Sequence, residues 1–475
     1  MRSISRELAD VYTSTSFPAL PRAVVGDALR ATLDWLGSAM AGALEPPARM
    51  AQRVVAGFGS ADQATMFAAG RSSAAGAALA NGVASHILEL DDVHKGSTMH
   101  AGAPVISAAL AVAEREHADG QAFLLAVTLG YDAALRIGEA VNPSHYRFWH
   151  PTGTAATFGA AVAAASLLGA NAEDMQNAIG TAGTQAAGLW EFNADGTMSK
   201  HLHPGKAAFN GVLAGDLAAA GFTGAGRILE GERGFMRAMS ASQDIGALTR
   251  NLGTRWKISE NCYKVWACCG HTHSAIDIVV DLCEQRRQRL GHVDPGDVAS
   301  IEIETYGPGY EIVNERDPAT PYAAKFSLAY CVAAALTYGG APLDAFSPGH
   351  FADQGVVDAN IAALLDRTSI TVADDLTAKY PHAWPARVSI AFADGTTLRG
   401  ASDYPVGNPE NPVTTAQLEE KFSALVAPRW GARATARAIT SIESLESCRD
   451  MADAFRDLVP ELGADRALAG AAHAR

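Results

Sequence analysis

Several residue classes that would point to a specialised setting are thin in this chain. Cysteine is one: six residues, at 262, 268, 269, 283, 331 and 448, are spread over 475 positions, too sparse for a disulfide framework. Basic residues are outnumbered, 37 Lys and Arg against 51 Asp and Glu, giving a net charge of −14. That balance excludes the basic face a nucleic-acid partner requires. Runs of like charge long enough to form an interaction tail are missing too. The longest apolar run, Ala155 to Ala170, falls short of the ~18 residues a membrane-spanning helix needs. The opening MRSISRELADVYTSTSFPAL has neither an apolar h-region nor a cleavage site, so no secretion signal is expected and the protein is expected to be cytoplasmic. There is no P-loop, no GxGxxG between a strand and a helix, no GxSxG elbow, no HExxH and no iron–sulfur spacing. Phosphoryl transfer, hydride transfer and triad hydrolysis all lose support, and no cofactor is expected.

What is present is a globular composition, 48% hydrophobic and 19% charged. The first half is written in helix patterns. Pro21 precedes an amphipathic stretch from about 22 to 43, and others follow near 72–90, 103–117, 120–140, 153–168, 172–189 and 205–221. Their Ala and Gly content favours close helix–helix contact, and β-branched alternation is scarce. After about residue 255 the texture changes. VASIEIETY (298–306) alternates like a half-buried strand, and SITVADD (369–375) reads as another. In ARVSIAFADGTTLRGAS, Val388, Ile390 and Phe392 alternate, Asp394-Gly395 turns, and Thr397 to Gly400 returns as a partner strand. Helical patterns at 274–289, 322–338 and 356–366 are interleaved with these strands. From Thr414, TTAQLEEKFSALVAP returns to helix with a Thr and a Glu spaced like a capping box, and the tail is helical until it fades into AGAAHAR. No fixed-period repeat occurs. The expected fold class is mainly α. Residues 1–255 plus 413–475 would form an all-helical domain, and 256–412 a smaller inserted α+β domain.

Polar chemistry collects in four stretches. HILELDDVHKGSTMHAGAP (86–104) sets Glu89, Asp91 and Asp92 at a helix end, followed by His94, Lys95 and His100. Any one of these suits a polar loop, but a histidine oriented by a carboxylate also suits a general base. In HYRFWHPTGTAATFG (145–159), His150 precedes Pro151, and Thr152 or Thr154 could cap the Ala-rich helix whose N-terminus would favour an anion. His150 could equally just pack beside Trp149. SKHLHPGKAAFNG (199–211) concentrates Lys200, His201, His203 and Lys206 ahead of a helix, where a lysine could bind a carboxylate or stabilise a developing anion. VWACCGHTH (265–273) invites a zinc reading. Adjacent Cys268 and Cys269 would diverge, however, and no second Cys/His pair lies near. A helix start carrying His271 and His273 is expected there instead, with no metal.

In this order, ELDDVH…HAGAP, HPTGT before an Ala-rich helix, KHLHPGKAA, LEGERGFMRAMS, the HTHSAID region, KFSLAYCVAAAL and YPVGNPENPVT…EEKF carry a resemblance. From about residue 5 to about 460 the chain resembles the MmgE/PrpD family, which includes 2-methylcitrate dehydratase, cis-aconitate decarboxylase and iminodisuccinate epimerase. The resemblance implies the two-domain fold above, a homodimer, an active site between the domains and no metal or organic cofactor. It implies catalytic roles for His100, His150, Lys200, His273 and Tyr330. Glu89, Asp91, Asp92 and His203 are expected to bind substrate. The family's Asp-Phe-Asp-Asp stands here as Glu89-Leu90-Asp91-Asp92, and a threonine that follows in many members is Val93.

The expected activity is that of a cofactor-independent lyase of the dehydratase type. It would act on a small di- or tricarboxylic acid by removing a proton next to a carboxylate. Epimerisation of a substituted succinate such as iminodisuccinate, or decarboxylation of the cis-aconitate type, is the alternative. From other classes come a non-catalytic helical binding protein, which would keep the fold and lose the charged positions, and a zinc hydrolase.

Overall fold

The computed structural model describes residues 3–59, 61–352 and 355–456. The tail read from the sequence as helix ending in AGAAHAR lies mostly outside the described residues, which include a last short turn of helix at Met451–Ala454.

The fold is mainly α. Helix α1 (Arg22–Gly42) begins directly after Pro21, whose fixed φ suits a helix entry. It is followed by α2 (Ala74–His86), α3 (Gly102–Arg115), α4 (Gly120–Val141), α5 (Ala155–Leu167) and α6 (Ser199–Ala219). Ser73 and Asp119 cap α2 and α4 by accepting from Gly76 N and Ala122 N. Every residue from Ala155 to Ala165 is buried, so α5 is a core helix with no polar face.

Small residues set how closely these helices approach. A Cβ on Gly82 of α2 would lie 2.8 Å from Gly205 Cα of α6, and one on Gly159 of α5 would lie 2.4 Å from Gly130 O of α4. The α2–α6 crossing is therefore backbone against backbone. It brings the first turn of α6 beside the loop that leaves α2.

The second texture seen in the sequence forms a four-stranded sheet. Strands β1 (Val298–Thr305), β2 (Thr368–Val372), β3 (Ala386–Phe392) and β4 (Thr397–Ser402) lie in the order β2-β1-β3-β4. The β1–β2 pair is parallel and the other pairs are antiparallel. Gly395 has φ +80°, which fits the Asp-Gly turn between β3 and β4. Helix α7 (His273–Leu290) lies on this sheet, where a Cβ on Gly400 would meet Ile278 at 2.6 Å. Helix α8 (Leu328–Tyr338) packs against α7. Helix α9 (Thr415–Trp430) returns to α1, with Trp430 Nε1 donating to Met40 O at 2.9 Å and Lys421 Nζ to Asp34 at 2.5 Å.

Several local expectations need correction. Neither Thr152 nor Thr154 caps α5: the Thr154 hydroxyl bonds back to His150 O and meets His145, and Thr152 Oγ1 accepts from His100 N. Helix α6 starts six residues earlier than expected, at Ser199, with Pro204 inside it. That proline has no N–H for the carbonyl of Lys200, four residues back. The capping box of α9 pairs Thr414 with Gln417, not with a glutamate. The pattern read over 322–338 divides into a single turn at Pro321–Ala324 and α8, because Ser327 starts a new helix by accepting from Tyr330 N.

Candidate active site

The loop leaving α2 is the centre of the site. Its Glu89 holds φ +59°, a left-handed conformation that costs a non-glycine residue about 1–2 kcal/mol. Two buried lysines brace this backbone, Lys325 donating to Leu88 O at 2.7 Å and Lys264 to Glu89 O at 3.1 Å. The Glu89 carboxylate is itself held between two ammonium groups. Lys200, in the first turn of α6, bonds Oε1, and Lys264 lies 3.2 Å from Oε2. Burial alone would push the Glu89 carboxyl up, but Lys200 and Lys264 outweigh it and hold the group well below the usual carboxylate range. Lys264 reaches the site because Val93 and Cys262 exchange two backbone hydrogen bonds of 2.8 Å, which staple the loop to the segment ahead of α7.

Beside Glu89 stands a carboxylate–imidazole group. Asp91 Oδ2 is 2.7 Å from Nδ1 of His86, the last residue of α2, and 3.3 Å from His100 Nδ1. Burial would raise Asp91, but the two imidazoles outweigh it and hold the carboxyl well below its ordinary value. Burial pushes His100 down to about 4 against the pull of Asp91, so it is neutral at pH 7 and able to accept a proton. Asp91 Oδ1, His86 Nε2 and His100 Nδ1 are buried with no well-aligned hydrogen-bond partner among the described residues. The ring of His150 lies 6.4 Å from that of His100 and is backed by His203, the two Nδ1 atoms 3.0 Å apart. Burial lowers both, His203 to about 4.

Several of these groups line a small chamber of about 20 Å³. Glu89, Lys200, Lys264, His100, His150 and His271 supply its polar lining, and Tyr146, Trp190, Phe326 and Trp384 its aromatic walls. Tyr146, Trp190 and Phe326 also line a neighbouring cleft of about 1530 Å³. With its histidines neutral, the lining carries one carboxylate against two ammonium groups; Asp91 stands behind the imidazoles and is not part of it.

The structure thus brings together Glu89, His100, His150 and Lys200, with Asp91 and His203 directly behind them. It does not bring in Asp92, whose carboxylate is taken up by Tyr131 OH at 2.7 Å, Asn261 Nδ2 at 2.8 Å and Gly102 N at 3.1 Å. His273 turns to Cys268 O, 3.3 Å away, while His271 takes the place at the chamber wall. Tyr330 donates to Ala345 O at 2.6 Å and packs against Phe346 and Phe351, also away from the chamber. Lys264, His86 and Tyr146 also stand in the site, and their sequence context gives little sign of it. The one legible hint was a lysine inside the apolar stretch CYKVWACC.

Among the described residues, two groups bring three side chains able to ligate a metal within 4.8 Å of one another. In His86, Asp91 and His100, the 2.7 Å bond between the first two leaves no space for an ion between them. In His94, Glu139 and Glu260, Lys257 Nζ already bonds both carboxylates, at 2.9 and 3.1 Å.

Comparison with known proteins converges on one family. The chain is 26% identical to a cis-aconitate decarboxylase-like protein, oryM, of Aspergillus oryzae, over 97% of this chain and 98% of that protein. It is 26% identical to the cis-aconitate decarboxylase of Aspergillus terreus over 74% of each chain. With the human cis-aconitate decarboxylase it shares 26% identity over 78% of this chain and 77% of that one. Residues 6–247 match the MmgE/PrpD N-terminal domain and residues 266–447 the MmgE/PrpD C-terminal domain. Sequence motifs, mainly helical fold and matched domains agree, and the chain belongs to the MmgE/PrpD family of enzymes.

Proposed function

We propose that the protein is a cofactor-independent lyase of small di- or tricarboxylic acids, acting by proton removal next to a carboxylate. The observation that carries this reading is the charge of the chamber lining: two ammonium groups, one carboxylate, and imidazoles kept neutral by burial. One positive charge is left to receive an anion, and a neutral base stands beside it.

In this reading His100 Nε2 accepts the α-proton and Asp91 steadies the imidazolium that forms. The electron pair left on carbon spreads into the neighbouring carboxylate as an enediolate, which Lys200 and Lys264 stabilise. For dehydration, the C–O bond to a β-hydroxyl breaks, an acid supplies its proton, and an alkene and water leave. Tyr146 and His150 face the chamber and are the candidate acids. Burial holds Tyr146 well above the usual phenol range, so it keeps its proton. Asp92, His273 and Tyr330 have no part in this scheme. Decarboxylation is a second reading, favoured by the names of the relatives. There the C–C bond to a carboxylate breaks and carbon dioxide leaves without the bonding pair. The pair spreads into a neighbouring carboxylate as the same kind of enediolate, and an acid of the chamber protonates the carbon. The Glu89 and Val93 departures favour a third, reprotonation on the opposite face to give an epimer. The homodimer and the division at about residues 256 and 412 belong to the same reading, and sedimentation velocity and limited proteolysis test them.

Proton NMR in D2O with citrate, 2-methylcitrate, cis-aconitate and iminodisuccinate tests the reaction. Exchange of an α-proton that disappears in Lys200→Ala is expected, and the product identifies the branch. An untouched panel would count against this substrate class and for a non-catalytic binding protein.

A further inference from the structure

His271 and Tyr306 have no role in the reaction proposed above. Tyr306 directly follows β1 and is completely buried. Its ring is fixed by stacking on Tyr380, with centroids 5.4 Å apart, and by Gly309, where a Cβ would come within 2.7 Å of it. Its hydroxyl meets one hydrogen-bonding partner among the described residues, Nδ1 of His271. His271 sits in the turn Gly270–Thr272 ahead of α7, its ring 4.4 Å from that of Trp384. Its other nitrogen, Nε2, lies 3.5 Å from Tyr146 OH at the chamber wall.

These contacts decide where the imidazole proton sits. A buried hydroxyl that fails to donate costs about 1–3 kcal/mol. With no other acceptor, the Tyr306 proton is directed at Nδ1, which must then present its lone pair. A neutral imidazole carries one N–H, so that proton is on Nε2, facing the chamber.

We infer that His271 is a neutral hydrogen-bond donor to a substrate carboxylate or enediolate oxygen, with Tyr306 as the positioning residue that fixes its Nε2–H tautomer. The role in catalysis rests on the function proposed above; the tautomer does not. Burial, with Lys264, His100 and His273 nearby, pushes His271 down to about 3, which keeps the ring uncharged through the neutral range. A donor held in place before the reaction needs no reorientation as charge develops on oxygen. The opposite tautomer would make Nε2 a second base.

The test is 15N NMR of the full-length protein labelled at histidine, with His271→Gln identifying the His271 signals. The expected result at pH 7 is an unprotonated, hydrogen-bonded Nδ1 and a protonated Nε2, with no titration between pH 5 and 8. Tyr306→Phe should shift the signals toward a mixture of tautomers. A protonated Nδ1 in the unmodified protein, or a doubly protonated ring at pH 7, overturns the assignment whether or not any substrate reacts. In the α-proton exchange assay, His271→Gln, which retains an N–H donor, should keep at least tenfold more kcat than His271→Leu. Tyr306→Phe should lower kcat about tenfold with little change in KM. Equal losses in the Gln and Leu variants would overturn the donor role while leaving the proposed reaction standing.

Discussion

Glu89→Gln removes the one negative charge that holds two buried ammonium groups together. Glu89, Lys200 and Lys264 side chains are 1%, 3% and 2% exposed, so water can replace little of what is lost. Breaking a buried ion pair by removing one partner costs about 3–5 kcal/mol, chiefly because the other charge stays buried. Here two charges are stranded, but the Gln carbonyl still accepts from one lysine, and the same range is expected. That is roughly two to nearly four decades in the unfolding equilibrium at 1.4 kcal/mol per decade. The pH dependence has a definite sign. The folded carboxyl is held below its unfolded value, so its stabilisation is complete above about pH 4.3 and is lost as pH falls through the folded value. Urea unfolding followed by tryptophan fluorescence should show the variant far less stable at pH 7.5 and the gap narrowing at acid pH. Glu89→Gln/Lys264→Met should recover part of the loss, a positive coupling in a double-mutant cycle. A Glu89→Gln midpoint equal to the parent's at pH 7.5, or a gap that widens on acidification, would refute the account.

Other outcomes follow from the same geometry. His100→Asn should lower α-proton exchange by about 10²–10⁴-fold while urea unfolding moves by less than ~1 kcal/mol. Exchange by the parent should be independent of pH from about 5.5 to 8 as far as His100 is concerned. It should fall as pH drops through about 4, where His100 takes up a proton; a loss of rate already complete at pH 6 would contradict this. Gly205→Ala would set a Cβ 2.5 Å from Leu79 O. Backbone cannot step aside as a side chain can, so about 1–3 kcal/mol of stability should be lost. The shift should reach Lys200 through α6 and raise KM for any anionic substrate. An unchanged melting curve would show that the helices separate more easily than their contact suggests.

How much of this was legible in the chain depended on the range of the forces involved. The β3–β4 hairpin was readable because alternation and an Asp-Gly turn are properties of consecutive residues. Glu89, His100, His150 and Lys200 lie in polar islands within apolar sequence, and it is the family resemblance that picks them out of those islands. Between His271 and His273 the resemblance chose His273, whereas His271 is the one at the chamber wall. They are two residues apart where a tight turn becomes a helix, and the rotation at that join decides which ring faces the chamber. Lys264 lies in an irregular segment with no periodicity, brought in by the Val93–Cys262 bonds. Tyr330 sits in an apolar helix whose facing is set by what packs around it, and its hydroxyl found Ala345 O. The single-residue errors at Thr154 and Gln417 have the same origin. Several nearby groups could have made each bond, and packing chose among them.

The chamber draws its groups from two separate lengths of chain. Glu89, His100, His150 and Lys200 stand on the helical body, whereas Lys264, His271, Phe326 and Trp384 come from the later part of the sequence. In the reaction proposed above, the base His100 comes from the first length, while Lys264 and His271 come from the second. Mutation can remodel one while the other is conserved, and the Val93–Cys262 bonds keep the two in register. Chimeras exchanging residues 261–412 between relatives would separate the two contributions.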